Sequence, residues 1–229
     1  MSLKAAGEWL RERTGLDRVW EALFERHVPE AKGPVAWLYT LGSASLFVFL
    51  VQFATGCLLA MNYVPSPDHA YDSVKFIGEQ VLFGRLIRGL HHWGATFMVV
   101  LVGLHMLRVF FMGAYKYPRE ATWIVGVGLF LLVMGFSFTG YLLPWDQKAF
   151  WATAVGTNIA GQAPVVGSSL SKVLLGSEEM GPATLTRFYA LHVLVLPALT
   201  GLFILLHLFL VVWHGISETP ERRRGGPQE

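Results

Sequence analysis

The sequence predicts an all-α membrane protein, a four-helix transmembrane bundle with an N-terminal amphipathic surface helix, and three observations predict it. Of 229 residues, 53% are hydrophobic and only 15% charged, a balance too apolar for a soluble domain of this size. The apolar residues gather into four blocks long enough to cross a bilayer, at about 37–62, 90–112, 122–143 and 188–213; these are spans A to D. Two of the blocks, B and D, each carry a pair of histidines at nearly the same interval: His91 and His105, His192 and His207.

Residues 1–34 are charged and open on no long apolar core, which excludes a secretory signal peptide. Leu16, Val19, Trp20 and Leu23 follow helical spacing, as in an amphipathic helix lying on the membrane surface; a helix packed on another subunit fits the pattern equally. The four-helix unit is expected over 35–217 and a polar cytoplasmic tail over 218–229. The B–C connection, with Pro118 in YKYPRE, is short. The C–D connection runs over about forty residues, a length that usually carries function, and should hold one or two short amphipathic helices. The net charge of +2 and the absence of a basic cluster interleaved with aromatics exclude nucleic acid as a partner. Cys57 is the single cysteine, so no intrachain disulfide is possible.

Orientation follows from Lys and Arg. The N-terminal segment, the B–C loop with Arg108 and the C-tail hold 12 of them, whereas the A–B and C–D loops with Arg88 and Arg187 hold 6. The positive-inside bias then puts both termini in the cytoplasm. Spans B and D run parallel, with His91 and His192 at the outer depth and His105 and His207 at the inner one.

An interval of 14 residues, His91 to His105, is about 21 Å of helix with only about 40° of drift, and the 15 from His192 to His207 about 22 Å with about 60°. Each pair therefore shares one helix face at two depths. An ionisable side chain inside a membrane is a functional hypothesis by default. Facing imidazoles at equal depth, with no Cys, Asp or Glu beside them, suit a haem iron held on both axial positions better than zinc or a di-metal cluster. Such an iron has no open site for oxygen and carries electrons. The plainer alternative for any one histidine is an interhelical hydrogen bond.

Other residues bear on this reading. Gly42 and Gly56 in span A, and Gly126 and Gly140 in span C, repeat the 14-residue interval. Glycine lets a flat macrocycle approach the backbone, although close helix packing uses glycine too. Arg88 precedes His91 by three residues and Arg108 follows His105 by three. Each could pair with the propionates of its haem, or simply snorkel at a helix end. His92 is about 140° away from the face of His105 and has no ligand role. His27 and His69 are interfacial or in loops. His214, at the inner end of span D, could pass protons to a quinone or be an interfacial histidine without that task. Pro197, between the two histidines of span D, is expected to kink it.

FLVQFATG at 49–56, RGLHHWGAT at 88–96, YPREATWIVG at 117–126, TGYLLPWDQ at 139–147 and TLTRFYALH at 184–192 together resemble the cytochrome b family, from about Trp37 to Ser217. The end of the chain after four spans and the 15-residue interval from His192 to His207 are similar to cytochrome b6, the split form, in which a separate subunit supplies the remaining helices. The resemblance implies a di-haem subunit of a quinol:cytochrome c or quinol:plastocyanin reductase in a bacterial cytoplasmic membrane. Its expected work is electron transport in a respiratory chain, with quinol oxidation and proton translocation. It also implies a Rieske iron–sulfur protein, a c-type cytochrome and a subunit IV-like protein as partners in a dimeric complex. It implies an outer quinol pocket bordered by Phe138, Tyr141, Ala152 and Gly156, with the catalytic glutamate outside this chain. In the family's b6 form a cysteine in FYCLGG attaches a third haem; here the stretch is LYTLGS, with Thr40 at that place, so two non-covalent haems b are expected. Two rivals stand beside this reading: a di-haem membrane anchor of a dehydrogenase or hydrogenase, which would lack the long C–D loop, and a haem-free transporter or scaffold.

Overall fold

A computed structural model describes residue 33 and residues 35–217. The expected N-terminal surface helix, His27 and the tail from 218 onward lie outside the described residues. Within them the chain is helical: α1 (Val35–Leu38), α2 (Leu41–Ala60), α3 (Ala70–Glu79), α4 (Gly84–Phe111), α5 (Glu120–Leu142), α6 (Gln147–Gly161), α7 (Gly167–Leu175) and α8 (Pro182–Ala190), then a π-helical turn (Leu191–Val195) and α9 (Leu196–His214).

Spans A, B and C are α2, α4 and α5, and span D is the continuous 33-residue run from α8 through α9; all four are long and apolar enough to cross a membrane. This is a multi-pass membrane protein. Span B begins at Gly84 and span D at Pro182, six residues before their apolar blocks in each case. Helix geometry continues past the hydrocarbon edge wherever the next residues can cap it, and 28 residues of α4 make about 42 Å against a hydrocarbon core of about 30 Å. Pro182 sits at the start of α8, where its missing N–H leaves nothing unsatisfied.

In lipid every backbone group must be paired within the segment, which favours helix for all four spans. Their few hydroxyls follow the same rule by donating back along the helix: Ser45 to the Leu41 carbonyl at 2.8 Å and Ser137 to Val133 at 3.0 Å. α2 lies along α4, and α9 along α5; α4 and α5 close the bundle. Large apolar side chains on the outside of the spans stay exposed, Phe47 at 66% and Leu205 at 69%, as expected of a surface that lipid covers.

The well-buried core sits instead at one end. Ala70, Leu142, Leu185 and Phe188 are fully buried there, with Tyr63, Phe138 and Trp145 packed against them. They join α3, the end of α5 and α8 beneath α6 and α7, the two short helices of the C–D connection. Asp146 starts α6 by accepting the Ala149 N–H at 2.8 Å, an N-cap. Arg187 closes α7 by donating to the carbonyls of Val173 at 2.6 Å and Lys172 at 3.3 Å.

Span D is interrupted just before Pro197, in a form more specific than a simple kink. Proline cannot donate to the carbonyl four residues back, and the Leu196 N–H reaches Leu191, five residues back. The resulting π turn contains His192, and such turns recur at functional sites.

Candidate functional site

Each of the four glycines singled out in the sequence lies against one of the four span histidines. A Cβ at Gly56 would stand 3.2 Å from His91 Cε1, and one at Gly140 only 2.6 Å from His192 Cε1. At the other depth, a Cβ at Gly42 would be 3.2 Å from His105 Cε1 and one at Gly126 3.3 Å from His207 Cε1. Contacts below about 3.4 Å are tighter than side chains normally accept. The glycines thus make room first for the imidazoles themselves: α2 backs the histidines of α4, and α5 backs those of span D.

At the first level the rings of His91 and His192 have centroids 6.3 Å apart and planes at 76°. Two metal–nitrogen bonds of about 2 Å each plus the two ring radii fill that separation. Thr55 donates its hydroxyl proton to the Val51 carbonyl at 2.7 Å, and its oxygen lies 3.0 Å from His91 Nδ1. Thr139 repeats the arrangement, donating to Gly135 at 2.8 Å and lying 3.0 Å from His192 Nδ1. Each hydroxyl has one proton, already used on a carbonyl, so Nδ1–H is the donor to threonine in both pairs. The Nε2 atoms are left with their lone pairs for another partner. Gln52 adds a tie from α2, donating from Nε2 to the His91 carbonyl at 2.9 Å.

At the second level His105 stands against Gly42 of α2 and His207 against Gly126 of α5. His105 Nδ1 is buried without a hydrogen-bond partner. Arg108 lies near this level with its guanidinium 4.0 Å above the Tyr39 ring, and Tyr39 donates to the Ser217 carbonyl at 3.1 Å. Arg88 is exposed on the first turns of α4.

No group of three or more His, Cys, Asp or Glu able to enclose a metal ion occurs among the described residues. Two imidazoles per level suit a metal that brings its own equatorial donors, a haem iron. The close glycine contacts and the 6.3 Å ring separation fit that group.

Phe138 and Gly156 come together, a Cβ at Gly156 meeting Phe138 Cε2 at 2.5 Å. Tyr141 and Ala152 are exposed on the same two helices. His214 Nδ1 is 3.1 Å from the Leu210 carbonyl, tying it to its own helix, and Arg119 donates to the neighbouring Gly215 carbonyl at 3.1 Å. His92 is exposed. Thr55 and Thr139 were not among the residues singled out in the sequence. Their signal is the Thr–Gly dipeptide, present at Gly56 and Gly140 and absent at Gly42 and Gly126.

Fold and site define a membrane helix bundle with paired histidines at two depths. The chain belongs to the Cytochrome b/b6/petB family, whose model matches residues 28–215. It is 43% identical over 215 residues to the menaquinol:cytochrome c reductase cytochrome b subunit of Geobacillus thermodenitrificans, covering 92% of this chain and 96% of that one. It is also 43% identical over 211 residues to cytochrome b6 of Heliobacterium mobile, covering 92% and 98%. A chain of a hyperthermophilic respiratory Complex III superposes with a TM-score of 0.84 at 30% identity, over 97% of this chain and 58% of that one. Membership of this family implies haem binding.

Proposed function

We propose that this chain is the cytochrome b subunit of a quinol:cytochrome c or quinol:plastocyanin oxidoreductase, carrying electrons across the membrane between two b haems. The observation that carries the reading is the repetition: two histidine pairs, each backed by two glycines, at levels 14 and 15 residues apart on parallel helices. His91 and His192 would hold the outer haem, and His105 and His207 the inner one. Bound there, each group would supply a one-electron carrier.

The remaining roles belong to the chain's own side chains. The glycines let the rings stand close to α2 and α5. Arg88 and Arg108, one turn beyond their histidines on α4, would neutralise propionates. Phe138 on Gly156, with Tyr141 and Ala152, would border the outer quinol pocket, and His214 would lie on the inner quinone side. No catalytic residue for quinol oxidation is assigned within this chain. The complex would add a subunit IV-like protein with the helices corresponding to the rest of the Complex III chain, a Rieske iron–sulfur protein and a c-type cytochrome. It would form a dimer in the bacterial cytoplasmic membrane, with both termini of this chain cytoplasmic.

The test is a haem count. The purified subunit should hold two haems b with the absorption bands of low-spin, six-coordinate iron, and His105→Leu should retain one. Two haems in that variant would show the pairing by depth to be wrong.

A further inference from the structure

Along the seam between α4 and α5 runs a groove of about 340 Å³, lined by Gly103, Met106, Leu107 and Phe110 of α4 and by Trp123 and Phe130 of α5. A Cβ at Gly103 would meet nothing within 4 Å, and α4 packs less extensively on α5 than on α2. On α4 the lining residues stand about 100–160° around the helix from His105, so the groove opens on the outside of the bundle rather than between the histidines. Leu107 and Phe110 are accordingly half exposed, at 51% and 53%. From Gly103 to Phe110, and from Trp123 to Phe130, is about 10 Å of helix, set against about 15 Å for the hydrocarbon of one leaflet.

The two ends of the groove differ. Toward the B–C connection the Phe110 and Tyr115 rings stack at 5.7 Å and Tyr115 leans on Trp123 at 5.9 Å, aromatic side chains of the kind that sit at headgroup level. Just beyond them Lys116 is exposed, whereas the next cation, Arg119, already donates to the Gly215 carbonyl. An apolar slot that ends in an aromatic cluster and an exposed ammonium is complementary to an amphiphile with a hydrocarbon chain and an anionic head. A quinone head would find one indole N–H in the lining and no hydroxyl, imidazole or carboxylate. A transmembrane helix, about 10 Å across, is too wide for a slot between two helices in contact.

We propose that this groove binds an anionic phospholipid of the leaflet that faces the B–C connection, with one acyl chain against Gly103 and the phosphate on Lys116. The lipid fills the seam that the side chains of α4 and α5 leave open. The inference goes beyond the di-haem reading and does not depend on it.

The experiment is native mass spectrometry of the intact complex, delipidated and then titrated with phosphatidylglycerol or with phosphatidylcholine carrying the same acyl chains. Gly103→Leu fills the groove without meeting a neighbour, Lys116→Gln removes the cation, and Leu205→Phe adds bulk on a lipid-facing position elsewhere. The parent and Leu205→Phe should retain one more phosphatidylglycerol per copy of this chain than Gly103→Leu does. The parent should prefer phosphatidylglycerol at that site by roughly fivefold, the worth of one cation near an anionic lipid surface, and Lys116→Gln should bring the two lipids to parity. Equal lipid retention by Gly103→Leu and the parent, no preference between the two lipids in the parent, or an unchanged preference in Lys116→Gln overturns the proposal. So does loss of a small subunit or a quinone, instead of a phospholipid, from Gly103→Leu. If Gly103→Leu does not assemble, the lipid preference of Lys116→Gln, altered only in an exposed connection, decides alone.

Discussion

A 2.6 Å gap between a virtual Cβ and His192 makes Gly140 the least replaceable of the four glycines. Gly140→Ala would push against a ring that Thr139 holds at Nδ1 and Phe136 flanks edge-on at 5.4 Å, so the ring cannot turn aside. The expected result is loss or marked spectral change of the outer haem, whereas Gly126→Ala, starting from 3.3 Å, should keep its inner haem. Equal tolerance of both variants in an absorption spectrum would dissociate the glycines from the ring contacts. Thr40 supports a different prediction. Its hydroxyl donates to the Trp37 carbonyl at 2.7 Å, it sits at the start of α2, and it offers no sulfur for a thioether. A denaturing gel stained for haem peroxidase activity should be blank at the mass of this subunit, and a positive band would point to Cys57 or a link of another kind. The histidines and glycines could be found in the sequence because they repeat one interval on apolar helices. Thr55 and Thr139 escaped that search because threonine in a membrane helix commonly satisfies itself on its own backbone, and only the fold shows that these two hydroxyls also meet an imidazole.

Among the elements, the end of α2 is tied to the end of α5 by one bond, from the Tyr63 hydroxyl to the Leu143 carbonyl at 2.7 Å. Burial, and then the Tyr189 ring stacked 5.4 Å away, raise the Tyr63 phenol above its ordinary value of about 10. A pKa raised by folding means that the fold prefers the neutral phenol. Its contribution is complete below about pH 10 and declines as pH climbs from there toward the folded value. Tyr63→Phe should therefore cost roughly 1 kcal/mol at neutral pH and remove part of the alkaline loss of stability, measured as thermal midpoints of the detergent-solubilised complex between pH 8 and 11. A parent and variant with parallel alkaline curves would exclude Tyr63 as the source. The four spans could be read from apolar length, which places their ends better than their starts, and the existence of short helices such as α6 and α7 from the length of the C–D connection. α3 was not anticipated, although its buried Ala70, Ser73 and Ile77 follow a one-sided helical pattern; in the sequence they stand among Asp, His and Lys and read as a loop. The π turn was located by Pro197 but not specified by it, because proline dictates only that one hydrogen bond is missing, and the packing of span D on α5 decides where the register shifts.

For the molecule as a whole, the isolated chain should not oxidise quinol, although dithionite should still reduce its haems. Splitting the two electrons of a quinol between two routes requires one acceptor at the outer surface and another inside the membrane. A single cysteine, exposed on α2, cannot ligate an iron–sulfur cluster that needs several ligands, and on the proposed reading the first acceptor is a separate protein. The reaction also requires a proton acceptor within reach of the quinol hydroxyl. Asp146 begins the helix that carries Ala152 and Gly156, but its Oδ1 accepts the Ala149 N–H and its position at the start of α6 favours a carboxylate committed to that helix end. Phe138, Gly156, Tyr141 and Ala152 offer a wall and one phenol, no base. Co-expression with a subunit supplying the helices beyond span D and with a Rieske protein should therefore create quinol oxidation that inhibitors of the outer pocket block. Robust, inhibitor-sensitive quinol oxidation by this chain alone would sink the split-subunit reading, because the missing acceptor and base would then have to lie within the residues described above.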